Sequence, residues 1–180
     1  MLVRSYNVTY GLNTTISISS NNYGKGQNIE KFIPTVVNSI KNNKNIHVYG
    51  DGKNIRDWIY VKDNCKCIYS LIKKSNYGQS YLIGSNNEIS NIKMVKKIIK
   101  IFKSISNISV LNQGYKFVTD RKGHDFRYAI ENKKLLNLIK INFSNFDKKL
   151  KNTIEFYLKN HVFYKKKLNE KWLKKKIENF

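Results

Sequence analysis

The spacing of apolar residues changes several times along this chain, and each change marks an element. Residues 2–10, LVRSYNVTY, read as the end of a helix, and Gly11 follows as a left-handed C-terminal cap. TTISIS (14–19) alternates and is β-branched, which predicts a strand. SNNYGKGQN (20–28) is rich in Asn and Gly and reads as a loop. From Glu30 onward Phe32, Ile33, Val36, Val37 and Ile40 fall on one helical face, and Pro34 fits if it sits in the first turn. IHVYG predicts a short strand, GDGKN a turn and DWIYV a second strand, after which Asp63 suits the N-cap of a helix burying Cys67, Ile68, Leu71 and Ile72. SYLIG (80–84) is a strand, and Asn91 to Ser104 a helix with Met94, Val95, Ile98, Ile99 and Phe102 inside. KFVTD (116–120) is a further strand, followed by helices near 131–139 and 147–160. Strands alternating with helices argue for an α/β architecture. No repeat or linker divides the chain, so 1–180 reads as a single unit, with 161–180 as a basic tail.

Composition changes this picture in two ways. The formal net charge of +22 suggests a nucleic-acid partner at first. Yet arginine occurs only at positions 4, 56, 121 and 127, alanine only at 129 and proline only at 34, while Asn, Ile and Lys abound. That is the mark of codon bias toward A/T, which places lysines on solvated faces whatever the partner. With no zinc-finger, RNP-type or helix-turn-helix signature beside the charge, no nucleic-acid partner is expected. The converse is useful: Arg56, Arg121, Arg127, Pro34, Ala129 and the glycines stand against the drift. No apolar run approaches ~18 residues, so no membrane span is expected, and the first residues lack the pattern of a secretory signal. Cys65 and Cys67 lie on different sides of a helix without partners at metal-ligand spacing, and read as packing residues of a reduced, cytoplasmic protein.

Three polar stretches exceed what a core needs. Ser20-Asn21-Asn22-Tyr23-Gly24 follows a strand directly, where α/β folds bind ligands, so its two carboxamides suit a sugar or a nicotinamide; the same residues also suit a plain turn. YGDGKNIRDWIYVKD (49–63) sets Arg56 between Tyr49 and Trp58, with Asp57 placed to orient the guanidinium for bidentate phosphate contact; a surface Arg–Asp pair beside a core tryptophan is the alternative. DRKGHDFRY (120–128) crowds Arg121, His124 and Arg127 around Gly123, which suits a diphosphate better than a core, although a solvated loop also accounts for it. Tyr49–Lys53 and Tyr69–Lys73 both match Tyr-x-x-x-Lys, but glycines break the first. The second has no glycine-rich dinucleotide motif ahead of it, so neither is read as a catalytic pair.

SNNYG–x5–EKFIP, VYGDGKNIRDWIYVKD, SYLIGSNNEISN and DRKGHDFRYAI follow one another as in dTDP-glucose 4,6-dehydratases, which this chain resembles from Leu2 through the EFYL segment at 155–158. These are NAD-dependent lyases of the extended short-chain dehydrogenase group. The resemblance implies the last part of a Rossmann-type parallel sheet plus the smaller C-terminal substrate-binding domain, and a homodimer. It implies that Asn21 contacts the sugar nucleotide and Asn22 the NAD; that Lys31 and Phe32 line the substrate pocket; that His47, Val48 and Tyr49 hold the thymine and deoxyribose; and that Arg56 holds the diphosphate. Asn91 and the loop Asp120, Arg121, Lys122, Gly123 and His124 would close over the nucleotide. Lys122 stands where the family usually has proline, residues 25–29 replace its usual proline and aromatics, and Ile139-Lys140 replaces a usual Gly-Trp. The family's glycine-rich NAD loop, Asp-Glu acid/base pair and Tyr-x-x-x-Lys dyad lie N-terminal to the segment matching Leu2. The chain therefore resembles the substrate-binding half of the enzyme, expected to be inactive alone: a split-enzyme half whose partner is a separately encoded N-terminal half, a decaying remnant, or a truncated sequence. A UDP-sugar epimerase or decarboxylase fragment is the near alternative, a basic nucleic-acid binder the distant one.

Overall fold

The structure, a computed structural model, describes residues 2–106 and 114–160; the expected basic tail, 161–180, lies outside the described residues. Helix α1 (Leu2–Tyr10) ends at Gly11, whose φ of +66° and N–H bond to the Asn7 carbonyl make it the expected left-handed cap. Strand β1 (Ile16–Ser19) follows, then β2 (Asn21–Tyr23), helix α2 (Phe32–Lys41), β3 (Ile46–Tyr49), β4 (Ile55–Tyr60) and helix α3 (Val61–Lys74). Next come β5 (Ser80–Ile83), β6 (Glu88–Ser90), helix α4 (Asn91–Ile105), β7 (Tyr115–Val118), β8 (Arg127–Tyr128), and helices α5 (Lys133–Leu138) and α6 (Phe146–Lys159). Pro34 is the third residue of α2, inside the first turn where its missing N–H has no helical acceptor to lose.

Pairing is mostly parallel, as the alternation of strands and helices implies. β1 pairs with β5, β3 with β7, and β4 with both β2 and β8 in parallel, while β6 runs antiparallel to β4. β4 is the hub, and its register sets Asn21 beside Trp58. One apolar core lies under α2, α4 and α6, built on Val37, Trp58, Met94, Ile98, Phe102, Ile154 and Tyr157. A smaller one under α3 and α5 joins Ile59, Cys67, Leu71, Tyr81, Ile83 and Leu135.

Several expectations change. The loop 20–28 contains β2, a three-residue strand, and β6 and β8 are equally short; such runs hold too few residues for a period to show. Asp63 is not the cap of α3. It lies in the first turn, buried, and its carboxylate accepts hydrogen bonds from the backbone N–H and hydroxyl of Ser144. Ile72 points to solvent instead of the core, and Cys65 is exposed while Cys67 packs. Burial pushes the Cys67 thiol up to about 11, so it stays a neutral packing group.

Candidate functional site

Alternation along β4 decides which side chains meet. Arg56 and Trp58 take one face, Asp57 and Ile59 the other. Arg56 is 9% exposed, and its Nη2 donates to His124 Nε2 and to the Asp125 carbonyl, each at 2.8 Å; Nη1 donates to the Ile55 carbonyl at 2.6 Å. A guanidinium only donates, so His124 Nε2 must be the accepting nitrogen, and the ring proton sits on Nδ1, which donates to Asp120 Oδ1 at 2.6 Å. Burial acts upward on the Asp120 carboxyl, but hydrogen bonds from His124 and the Arg121 N–H outweigh it and hold the group below its usual value.

The loop between β7 and β8 is fastened at both ends. Gly50 N–H bonds to the Val118 carbonyl, Ile55 N–H to the Phe126 carbonyl, and the Asn54 carboxamide to the Asp125 carbonyl. Gly50 has φ +57°, and a Cβ there would stand 3.1 Å from Asp120 Oδ2, so glycine lets the turn and the loop close on each other. Arg121 turns back over the Tyr49 ring, 5.4 Å from its centroid. Tyr49, Arg56, Asp120, Arg121 and His124 are thus brought to one place, with Asn91 adjoining through its N–H bond to the Asn54 carbonyl. Lys122 and Gly123 are exposed at the loop's tip.

A second group meets on the β2 side. Asn21 faces Trp58 in register, and Phe32 packs its ring on Trp58 at 5.7 Å, with exposed Lys31 just ahead of α2. The Asn22 amide nitrogen donates to the Ser20 carbonyl. The buried atoms Asn22 Oδ1, Ser20 Oγ and Trp58 Nε1 have no hydrogen-bond partner within the protein, and atoms of that kind call for an explanation.

Other candidates are placed differently from expectation. Asp57 does not orient Arg56: it is fully buried on the opposite face, where it accepts from the Ser85 N–H and hydroxyl and from the Asn87 N–H. Arg127 leaves the cationic cluster and makes a two-pronged pair with Glu88, both contacts 2.7 Å, which lowers the Glu88 carboxyl. Val48 is buried in the core, so only its backbone remains to meet a ligand, whereas His47 and Tyr49 are exposed on the other face of β3. Tyr69 and Lys73 share an exposed turn of α3 as a cation–π pair, 4.4 Å apart. Sequence reasoning missed Asn54, whose carboxamide holds the loop; its place directly ahead of the Arg56 strand was the available signal. Ser20 was noticed only as part of a turn. Among the described residues no three His, Cys, Asp or Glu side chains group as a metal site, and no helix is long and apolar enough to cross a membrane.

Comparison with known proteins places this geometry. The chain is 35% identical over 174 residues to a dTDP-glucose 4,6-dehydratase of Neisseria meningitidis and 37% identical over 171 residues to one of Escherichia coli, covering 93% and 92% of this chain. The chain is homologous to the dTDP-glucose 4,6-dehydratases. It spans about half the length of these curated relatives, 49% and 47%. The model of the NAD dependent epimerase/dehydratase family matches residues 1–84. Among solved structures, DesIV of Streptomyces venezuelae, a dTDP-glucose 4,6-dehydratase with NAD and TYD bound, superposes with a TM-score of 0.83 at 30% identity, covering 91% of this chain and 49% of that one. The fold is therefore α/β with parallel strands, equivalent to about half of a dehydratase of this kind. UDP-glucose 4-epimerase of Thermotoga maritima shares the fold at a TM-score of 0.77 and 20% identity.

Proposed function

We propose that this chain is the sugar-nucleotide-binding portion of a dTDP-glucose 4,6-dehydratase, acting in the conversion of dTDP-glucose to its 4-keto-6-deoxy derivative. The observation that supports this best is the chain of contacts Arg56–His124–Asp120, which fixes a buried cation beneath a loop flanked by Tyr49 and Arg121, in a polypeptide homologous to these enzymes. Three of the five Arg56 N–H groups are committed within the protein. Two remain, the Nε–H and one on Nη1, and these are the donors available to a diphosphate oxygen. Arg121 is exposed beside Tyr49 and supplies a second positive charge. In this reading Tyr49, His47 and the Val48 backbone hold the thymine and deoxyribose; Asn21, Lys31 and Phe32 line the sugar pocket; and Asn91 closes the nucleotide side with Asp120, Lys122 and Gly123.

NAD is the cofactor of this reading, and it supplies the hydride acceptor and donor when bound. The residues present fit one edge of it: Asn22 Oδ1 is a buried acceptor lacking a partner, suited to an amide N–H. The test is calorimetric titration of dTDP onto the purified chain beside Arg56→Ala. Binding by the unaltered chain, weakened about tenfold or more in the variant, is expected. Equal binding by the two proteins, or none at millimolar ligand, sinks the proposal, and preference for UDP over dTDP transfers it to the sugar epimerases.

A further inference from the structure

The turn ahead of β4 ends on a carboxamide to which the nucleotide contacts assign nothing. Asn54 is 5% exposed, so its influence on a ligand runs through its neighbours. Its Nδ2 donates to the Asp125 carbonyl at 3.2 Å, and that same oxygen takes the Arg56 Nη2 bond at 2.8 Å. Its backbone carbonyl accepts from the Asn91 N–H at the start of α4, and Ile55, next in the chain, donates its N–H to the Phe126 carbonyl. The carboxamide also reaches the other end of the loop, at the Asp120 carboxyl. Burial pushes that group up; bonds from His124 and the Arg121 N–H, with a lesser one from Asn54, hold it below its usual value. Asp120 in turn fixes His124, whose Nε2 is the other acceptor of Arg56 Nη2. Both acceptors that aim this nitrogen thus belong to a loop that Asn54 spans. A carboxamide nitrogen carries two N–H groups and can serve a carbonyl and a carboxylate together, whereas a carboxylate at this position would carry none.

We propose that Asn54 is a positioning residue for diphosphate recognition: it clamps residues 120–125 so that His124 and the Asp125 carbonyl hold the Arg56 guanidinium with its uncommitted N–H groups toward the ligand. The inference rests on the reading above, which supplies the ligand, and adds what sets the geometry of its cation. The Ile55 carbonyl belongs to the same strand as Arg56 and holds Nη1 whatever the loop does. Only the Nη2 contacts depend on the loop, so without the clamp the guanidinium is free to turn about the bond that remains. Two-pronged contact between a planar fork and phosphate oxygens depends on a fixed plane, and it suffers from such turning more than simple charge attraction does. Asn54 therefore acts on the diphosphate through Arg56 and has no effect of its own once that side chain is gone.

The test is a double-mutant cycle on the full chain, read by calorimetric titration of dTDP. Asn54→Ala is expected to weaken binding about tenfold, and to weaken it less than about twofold when Arg56→Ala is already present. Asn54→Gln keeps both amide N–H groups and is expected to bind within about threefold of the unaltered chain. Equal losses with and without Arg56 give Asn54 a role apart from the guanidinium and overturn the proposal. So does undiminished binding by Asn54→Ala, or a glutamine variant as weak as the alanine one. Asn54→Ser, with a smaller polar side chain, carries the expectations of Asn54→Ala if the alanine variant does not fold. Carbon-13 NMR of the Asp120 carboxyl gives a reading that needs no nucleotide: its midpoint rises in Asn54→Ala while circular dichroism keeps the helical content. An unmoved midpoint also overturns the clamp. Absence of dTDP binding by the unaltered chain sinks the reading above instead, and the NMR midpoints then decide by themselves whether Asn54 sets the loop.

Discussion

Arg56 shows why residue type was readable and partner was not. Scarcity of arginine in a lysine-rich chain singled it out, and the adjacent Asp57 looked like its companion. In a strand, adjacent residues point to opposite faces, so the companion had to come from elsewhere; it is His124, 68 positions away. His124 in turn ties the loop to Asp120, and this gives a pH dependence with a definite sign. The folded Asp120 carboxyl lies below its ordinary value of 3.8, so folding favours the ionised form. Its contribution is therefore complete above that value and disappears as pH falls through the lower folded one. Carbon-13 NMR of the Asp120 carboxyl is expected to show a midpoint below 3.8 that moves upward in His124→Ala. An unmoved midpoint removes His124 from its role as the partner that orders the loop.

At the scale of elements, long periodic segments were legible and short ones were not. The core faces of α2 and α4 lay in the spacing of their apolar residues; β2, β6 and β8 are held by β4 and not by any pattern of their own. Buried carboxylates were also misread, because their partners are backbone N–H groups of distant loops. Asp57 has three donors, Ser85 N–H, Ser85 Oγ and Asn87 N–H, and Gly84 leaves room for it, since a Cβ there would stand 2.5 Å from Asp57 Oδ2. Asp57→Ala empties a fully buried site and strands the two half-buried amides of Ser85 and Asn87, and is expected to cost about 3 kcal/mol in urea unfolding. Tyr157 plays the matching role between α6 and the loop after β2, donating to the Gly24 carbonyl and accepting from the Gln27 N–H. Burial raises its hydroxyl to about 12, which makes the neutral form the folded one. Stability from this group is complete below its ordinary value of 10.0 and is lost as pH rises through about 12. Tyr157→Phe keeps the ring, is expected to lose about 1–2 kcal/mol at neutral pH, and removes that part of the alkaline sensitivity.

For the molecule as a whole, the two apolar cores are unequal, and their difference predicts how the chain opens. The core of α2, α4 and α6 encloses Phe102, Met94, Ile98, Leu150 and Ile154 completely, with β4 as its floor. The other core rests on β5, and β1 beside it contributes no buried side chain. The order of strands and helices made the α/β class legible from the sequence. That imbalance was not, because it depends on which faces find a cover. Local opening follows buried apolar contacts, so hydrogen exchange should be graded across the fold. Amides of α4 and α6 are expected to exchange slowest, at the rate of global unfolding. Ile18, bonded toward β5, exchanges at an intermediate rate, while Ser17 and Ser19, whose amides by alternation face the opposite edge of β1, and the amides of α1 exchange fastest. Slow exchange at Ser17 and Ser19 in the isolated chain would show that their edge is already paired, and equal protection in β1 and α4 would show a single cooperative core in place of two.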